Sequence, residues 1–440
     1  MYDILFRDAT VLRPDCSGVD GHVDVAVADG AIALVAPTGH GREAAEVVDC
    51  RSKLVMPGLV DCHTHTGQQL LRGHVLDELP MIWTRVMLPF ESTLTPELMG
   101  LSARLCALEM IKSGTTAFAD AGSYFMDRAA EVYLESGLRA TLTCSTMDQP
   151  GLPASIARTT AEAVADNDRL FDDYDGRGLL SVGYSLRALM SCSEELVLTV
   201  SEHAAERGAS VQAHMNEYPA EINHTLQAHG MRPFEYLDGL GVLDGRFMAA
   251  HCLMLSEAEK DIVAARGVKV CHCPFSNCAK GVPDAPGLQD RGVVEGLGTD
   301  GAAHGGVSLW GEMRLFRSVM NVTQGVAIAD PAIMPAPKVV SMATEGGYGF
   351  LGVNGGHVRE GEVADLITVD LASPVMFPTG DVVKSLMECC TAEQVRDMAV
   401  GGRMLMRDRC VLTIDEGRVM AEAGEYLSRS AAAPAAAVAG

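Results

Sequence analysis

Two histidines two positions apart, His63 and His65, close the segment Pro57-Gly58-Leu59-Val60-Asp61-Cys62-His63-Thr64-His65. The apolar run before them, residues 54–60, reads as a buried strand, and strand side chains at i and i+2 point to one face. Both imidazoles can therefore approach one ion, and neutral imidazole suits zinc and its first-row neighbours. Alone, such a pair is more often two satisfied core side chains. Three more candidates also end apolar runs: His214 after 210–213, His251 after 247–250, and Asp300 after 296–299. Three imidazoles and one carboxylate can hold a single divalent ion and leave one position for water. Such an ion lowers the pKa of its water towards 7. The leaving group must also be protonated, and Glu217, three residues past His214, is placed to share that proton traffic with Asp300. Acid–base help of this kind contributes about 10²–10⁴-fold. The plain reading of Glu217 is an ordinary loop carboxylate.

These residues need elements that deliver them to one place. Residues 57–349 repeat a short apolar strand followed by an amphipathic helix, with strands expected at 54–62, 115–120, 140–147, 179–186, 210–215, 247–252, 268–273 and 293–299. Helical patterns lie between them, for example 96–112, 155–168, 194–207 and 256–266. Eight strands with intervening helices point to an α/β fold, a (β/α)8 TIM-like barrel, whose active sites sit at C-terminal strand ends. His63 and His65 then end the first strand, His214 the fifth, His251 the sixth and Asp300 the eighth. A doubly wound open sheet is the alternative, but no Gly-x-Gly-x-x-Gly follows an early strand. Residues 1–56 and 350–427 share a different texture, short β-like runs joined by Asp29-Gly30 and Gly401-Gly402 turns. Both chain ends are expected to fold together as a small β-sandwich domain. Residues 428–440, rich in Ala, Pro and Ser, read as a disordered tail.

A net charge of −24 argues against nucleic acid or an anionic membrane as the main partner. It does not exclude a small anionic substrate, since one local arginine can override the global field. No signal peptide is visible in Met1-Tyr2-Asp3-Ile4-Leu5-Phe6, and no apolar stretch reaches membrane-spanning length. Thirteen cysteines show no framework spacing, and most sit in apolar runs where a reduced thiol packs as a small hydrophobe, which suits the cytoplasm.

The whole set of motifs resembles the amidohydrolase superfamily. It comprises the histidine segment above, His214-x-x-Glu217, Ala249-Ala250-His251-Cys252, His272-Cys273-Pro274-Phe275-Ser276-Asn277 and Gly298-Thr299-Asp300-Gly301-Ala302. Within that superfamily it looks like the mononuclear aminohydrolases: S-adenosylhomocysteine/methylthioadenosine deaminases, guanine deaminases and triazine hydrolases. The resemblance covers nearly the whole chain. It implies metal ligation by His63, His65, His214 and Asp300. His251 would hydrogen-bond the hydrolytic water, Glu217 would protonate a heterocycle nitrogen, and Asp300 would take the proton of the attacking water and pass it to the leaving group. No lysine lies in 179–186, where binuclear members carry a bridging lysine, so one ion is expected, zinc by default, with iron or manganese as alternatives.

For the substrate, two signals disagree. Leu88-Pro89-Phe90-Glu91 is similar to a segment whose glutamate binds ribose hydroxyls in adenosine-type deaminases. Arg187, in Arg187-Ala188-Leu189-Met190-Ser191-Cys192-Ser193, instead resembles the arginine with which guanine deaminases read a ring carbonyl, and Gln68 matches a guanine-contacting glutamine. An arginine can offer a bidentate fork to such a carbonyl, although a salt bridge to a nearby acidic loop is as common a fate. Trp83 and His304 are further candidates for the pocket wall, with core packing as the plain alternative. The expectation is a metal-dependent aminohydrolase that deaminates a purine, purine nucleoside or pterin and releases ammonia, working as a homo-oligomer, a dimer or higher. Hydrolytic dehalogenation, or amide, urea or alkylamine hydrolysis on a triazine-like ring, is the alternative. A non-catalytic scaffold would have lost ligands, and none is missing.

Overall fold

The computed structural model describes residues 1–40, 43–78 and 81–432, with side chains as far as Arg429. Both chain ends contribute to one mixed nine-stranded sheet. Its N-terminal strands are Tyr2–Leu12, Val19–Ala28, Ala31–Pro37, Ala44–Asp49 and Lys53–Pro57, and its C-terminal strands are Leu366–Asp370, Val395–Val400, Arg403–Arg407 and Cys410–Val411. The two ends are stitched together where Lys53–Pro57 runs antiparallel to Leu366–Asp370, with Pro57 opposite Leu366 and Val55 opposite Thr368. Phe6, Val25, Ile32, Val48, Leu366 and Met404, drawn from both ends, are buried in one apolar cluster.

The strand expected over 54–62 is two strands in two different sheets. Gly58 is the switch: its N–H donates to Asp365 O in the end sheet, and the next N–H, of Leu59, donates to Gly114 O in the central fold. Only glycine fits there, because a Cβ would stand 2.0 Å from Thr116 Oγ1. The strand that carries the histidines therefore starts at Leu59 and runs to His65.

The central part is α/β with two parallel five-stranded sheets. Leu59–His65, Thr115–Asp120, Arg139–Leu142, Leu180–Val182 and Asp300–Gly301 form one, and Tyr184–Leu186, Val211–Met215, Phe247–His251, Lys269–His272 and Glu295–Leu297 form the other. Only Gly183 separates the two sheets at one junction, and only residues 298–299 at the other. Gly183 N–H bonds Leu142 O while Tyr184 N–H bonds Ser210 O; at the far junction Gly298 N–H bonds His272 O. Val211–Met215 and Phe247–His251 are buried at every position, as parallel strands covered on both faces must be.

Helix starts are chemically marked. Thr159 with Glu162, and Ser256 with Glu259, form reciprocal capping boxes. The first of these explains why the helix expected over 155–168 is instead Thr160–Tyr174, since the cap fixes its start. A helix Glu416–Ala432 follows the last strand and buries Val419 against Leu101 and Leu108. The expected disordered tail thus begins as helix over 428–432, and 433–440 lie outside the described residues. Among the described residues no helix is long and apolar enough to cross a membrane. All thirteen cysteines are free.

Candidate active site

His63 and His65 end their strand, His214 is one residue from the end of Val211–Met215, His251 is the last residue of its strand, and Asp300 opens the short strand Asp300–Gly301. All five are buried. Asn216, His251 and Asp300 hold positive φ values of 50°, 73° and 58°. Such left-handed backbone is costly for non-glycine residues and tends to persist where function requires it.

Ligand atoms of His63, His65, His214 and Asp300 lie within 4.8 Å of one another. His65 Nε2 is 3.1 Å from His214 Nε2, and Asp300 Oδ1 is 3.3 Å from His65 Nε2 and 3.8 Å from His63 Nε2. His63 Nε2 is buried with no hydrogen-bond partner among the described residues. Two ring nitrogens facing each other can share one proton at most, so buried lone pairs converge on a common point. Burial holds His63 and His214 well below the usual imidazole range, which keeps those lone pairs available. Burial alone would raise Asp300, but its hydrogen bond with His65 and the nearby His304 and Lys280 keep it well below the usual carboxylate range. This donor set, three imidazoles and one carboxylate, fits a single first-row divalent ion.

The support beneath is polar and specific. Asp61 accepts from Thr299 Oγ1 at 2.5 Å, Thr299 N at 3.1 Å and His63 N at 3.2 Å, tying the first strand to the last. Burial raises its carboxyl to about 7. Thr64 Oγ1 donates to Asp300 O, and Ser276 Oγ donates to Asp300 Oδ2 at 2.6 Å. Asn277 faces His251 Nδ1 at 2.9 Å; with its amide nitrogen towards the ring it also satisfies Cys273 O, and its oxygen accepts from Cys273 N. His251 Nδ1 is then an acceptor, and the ring proton sits on Nε2, which points at the site 3.7 Å from Glu217 Oε1.

The expected substrate residues also gather here. Gln68 Nε2 donates to Glu91 Oε1 at 2.7 Å, and Arg187 Nη2 pairs with the same oxygen at 3.5 Å. The Arg187 guanidinium lies 5.7 Å from the Trp83 ring centroid and 3.0 Å from His65. His304 Nε2 is 3.7 Å from Asp300 Oδ2. Gln68 Oε1, Glu91 Oε2 and Trp83 Nε1 are buried without partners among the described residues. Buried polar atoms are rarely left unpaired, so these are free to receive a ligand.

Residues 54–405 match the amidohydrolase family. The chain belongs to the amidohydrolase family. It is 35% identical over 436 residues to a 5-methylthioadenosine/S-adenosylhomocysteine deaminase of Pelotomaculum thermopropionicum, covering 96% of this chain and 98% of the relative. It is 33% identical over 441 residues to a 5'-deoxyadenosine deaminase of Methanococcoides burtonii, covering 97% and 98%. An adenosine deaminase from Xanthomonas campestris, solved with bound zinc, superimposes with a TM-score of 0.91 at 30% identity, covering 97% of this chain and 98% of that one.

Several residues of this amidohydrolase site escape a reading of its sequence. Lys280 Nζ lies 2.5 Å from Glu217 Oε1 and 2.7 Å from Ser276 Oγ. Burial raises Glu217, but His251 and Lys280 outweigh it and bring the carboxyl below its usual value. Glu221 accepts from Glu217 N–H at 3.0 Å, and burial raises its own carboxyl to about 8. Ser276 and Asn277 stand inside a motif that pointed to the family without showing what they touch. Lys280 follows in a loop without periodicity, and nothing local marks it.

Proposed function

We propose that this amidohydrolase is a metal-dependent aminohydrolase acting on a purine nucleoside of the adenosine type, replacing the exocyclic amine with a carbonyl and releasing ammonia. The observation that carries the reading is the convergence of four ligand atoms within 4.8 Å, with Glu217 and His251 clustered beside Asp300. We infer zinc as the ion, held by His63, His65, His214 and Asp300, from the donor set and the zinc-bound structural relative. When bound, a divalent ion supplies the Lewis acidity that makes water a nucleophile near neutral pH.

The chain's own residues do the rest. His251 donates its Nε2 proton to the attacking oxygen and orients it. Asp300 takes the proton that oxygen sheds and hands it to the departing amine. Glu217, ionised at the start, receives the water's other proton and delivers it to the ring nitrogen beside the reacting carbon, so that the carbon accepts the new C–O bond before the C–N bond breaks. One water is consumed and one ammonia leaves. Gln68, Arg187 and Trp83 hold the base, and Glu91 faces the sugar. A narrow cavity of about 30 Å³ at the ligand cluster is lined by Gln68, Trp83 and Arg187, and Glu91, which bonds Gln68 and Arg187, lines a second cavity of about 410 Å³ with Ser123, Tyr124 and Arg158. Glu91 thus stands beside the residues assigned to the base, where a sugar attached to it would lie, and this favours a nucleoside. The two parallel sheets are read as one closed (β/α)8 barrel, joined at Gly183 and at residues 298–299, and the nine-stranded sheet as a small β-sandwich folded over its shared core.

An ammonia-release screen of the zinc-loaded protein over adenosine-type nucleosides, guanine, pterins and amino- and chlorotriazines tests the reading. Ammonia from nucleosides supports it. Release from free bases only, or halide release from chlorotriazines, would replace the substrate or the reaction.

A further inference from the structure

Resting on the reading of Glu217 as the carboxylate that protonates the substrate, we propose that Lys280 is its positioning residue, the centre of a bridge joining the two proton-carrying carboxylates. Lys280 Nζ donates to Glu217 Oε1 at 2.5 Å and to Ser276 Oγ at 2.7 Å, and Ser276 Oγ donates onward to Asp300 Oδ2 at 2.6 Å. The ammonium also stands 3.9 Å from Asp300 Oδ2 and 5.4 Å from the Tyr218 ring centroid. Its side chain is 3% exposed.

A buried ammonium is costly unless its charge and its protons are met, and here Glu217, Ser276 and the nearby Asp300 meet them. Lys280 is one of the groups lining the cavity at the ligand cluster. Its effect on Glu217 follows from competition. Glu217 Oε1 has two donors within reach, Lys280 Nζ at 2.5 Å and His251 Nε2 at 3.7 Å. Without the ammonium the carboxylate would be drawn to His251 and would engage the very proton that should orient water. With it, Oε1 is pinned, the second oxygen is left for the ring nitrogen, and His251 stays free. Ser276 fixes the other end, so that Glu217 and Asp300 flank the substrate at a set separation.

The test uses metal-loaded enzyme with its best nucleoside and the variants Lys280→Met, Lys280→Ala, Ser276→Ala, Glu217→Gln and Glu217→Gln/Lys280→Met. In Lys280→Met, kcat is expected to fall about tenfold or more, because misplacing a general acid forfeits much of its contribution, while KM and metal content hold. Ethylammonium or propylammonium should restore turnover to Lys280→Ala in a saturable manner. The double variant should be no slower than Glu217→Gln alone, since Lys280 acts through that carboxylate. A rise in KM with kcat intact would make Lys280 a substrate contact and overturn the proposal, as would wild-type kcat or additive losses in the double variant. Should Lys280→Met fail to fold, Ser276→Ala carries the test: it cuts the bridge and must lower kcat at constant metal content, and an unchanged kcat overturns the proposal. Wild-type turnover in Glu217→Gln would instead remove Glu217 from the mechanism, a failure of the parent reading that is visible separately.

Discussion

Gly298→Ala probes how closely the fold is built around His63. Gly298 sits at the junction between Glu295–Leu297 and Asp300–Gly301, and a Cβ there would lie 2.8 Å from Cys271 Sγ, 2.8 Å from His63 O and 2.9 Å from His63 N. Ordinary contacts begin near 3.4 Å, so the methyl must win about 0.6 Å in a close-packed interior. Two of the three obstructing atoms are the backbone of His63, a proposed metal ligand, so the room comes from moving it. Overpacking of this kind costs about 1–3 kcal/mol. At about 1.4 kcal/mol per decade that corresponds to a roughly 5- to 150-fold loss in metal affinity. Competition with a chromogenic chelator reads the affinity, and a melting curve of the metal-loaded protein reads any strain kept in the fold. Gly311→Ala is the control: it lies in helix Leu309–Met320 with nothing within 4 Å of its Cβ, and should gain up to about 1 kcal/mol of stability. Wild-type metal affinity and wild-type melting in Gly298→Ala would refute the reasoning.

Glu217→Gln should lower kcat about 10²-fold or more at unchanged metal content; equal loss of both would recast Glu217 as a structural residue. Arg187→Met should raise KM about tenfold or more, since a charged hydrogen bond contributes about 1.5–3 kcal/mol. Because that change strands Glu91 in the interior, it is measured again with Glu91→Gln, and an unchanged KM in the double variant would place Arg187 outside substrate recognition. The metal-free protein should lose stability as pH falls below 6.5. There the unfolded chain protonates imidazoles that burial keeps neutral at His63, His214 and His251, so the unfolded state binds more protons and unfolding becomes easier. Asp300, held low in the fold, adds stability above its ordinary 3.8 that is lost only further down in pH. A melting temperature at pH 5.5 equal to that at pH 7.5 would contradict this.

Sequence alone pointed to the proposed ligand set and to Glu217 beside it. Strand periodicity puts His63 and His65 on one face, and apolar runs ending at His214, His251 and near Asp300 are local signals, readable because a buried parallel strand has few ways to end. Glu217 was readable for the same reason, being fixed to His214 by three residues of chain. Tertiary structure decided what the loops do. Whether 54–62 was one strand or two depended on Thr116 filling the space beside Gly58. That Arg187 pairs with Glu91 depended on bringing together residues 96 positions apart, and that Lys280 reaches Glu217 depended on folding across 63. Such contacts have no period and no local composition. Their physical cause is the cost of burying a charge without an opposite charge, and that cost is settled only when distant segments pack.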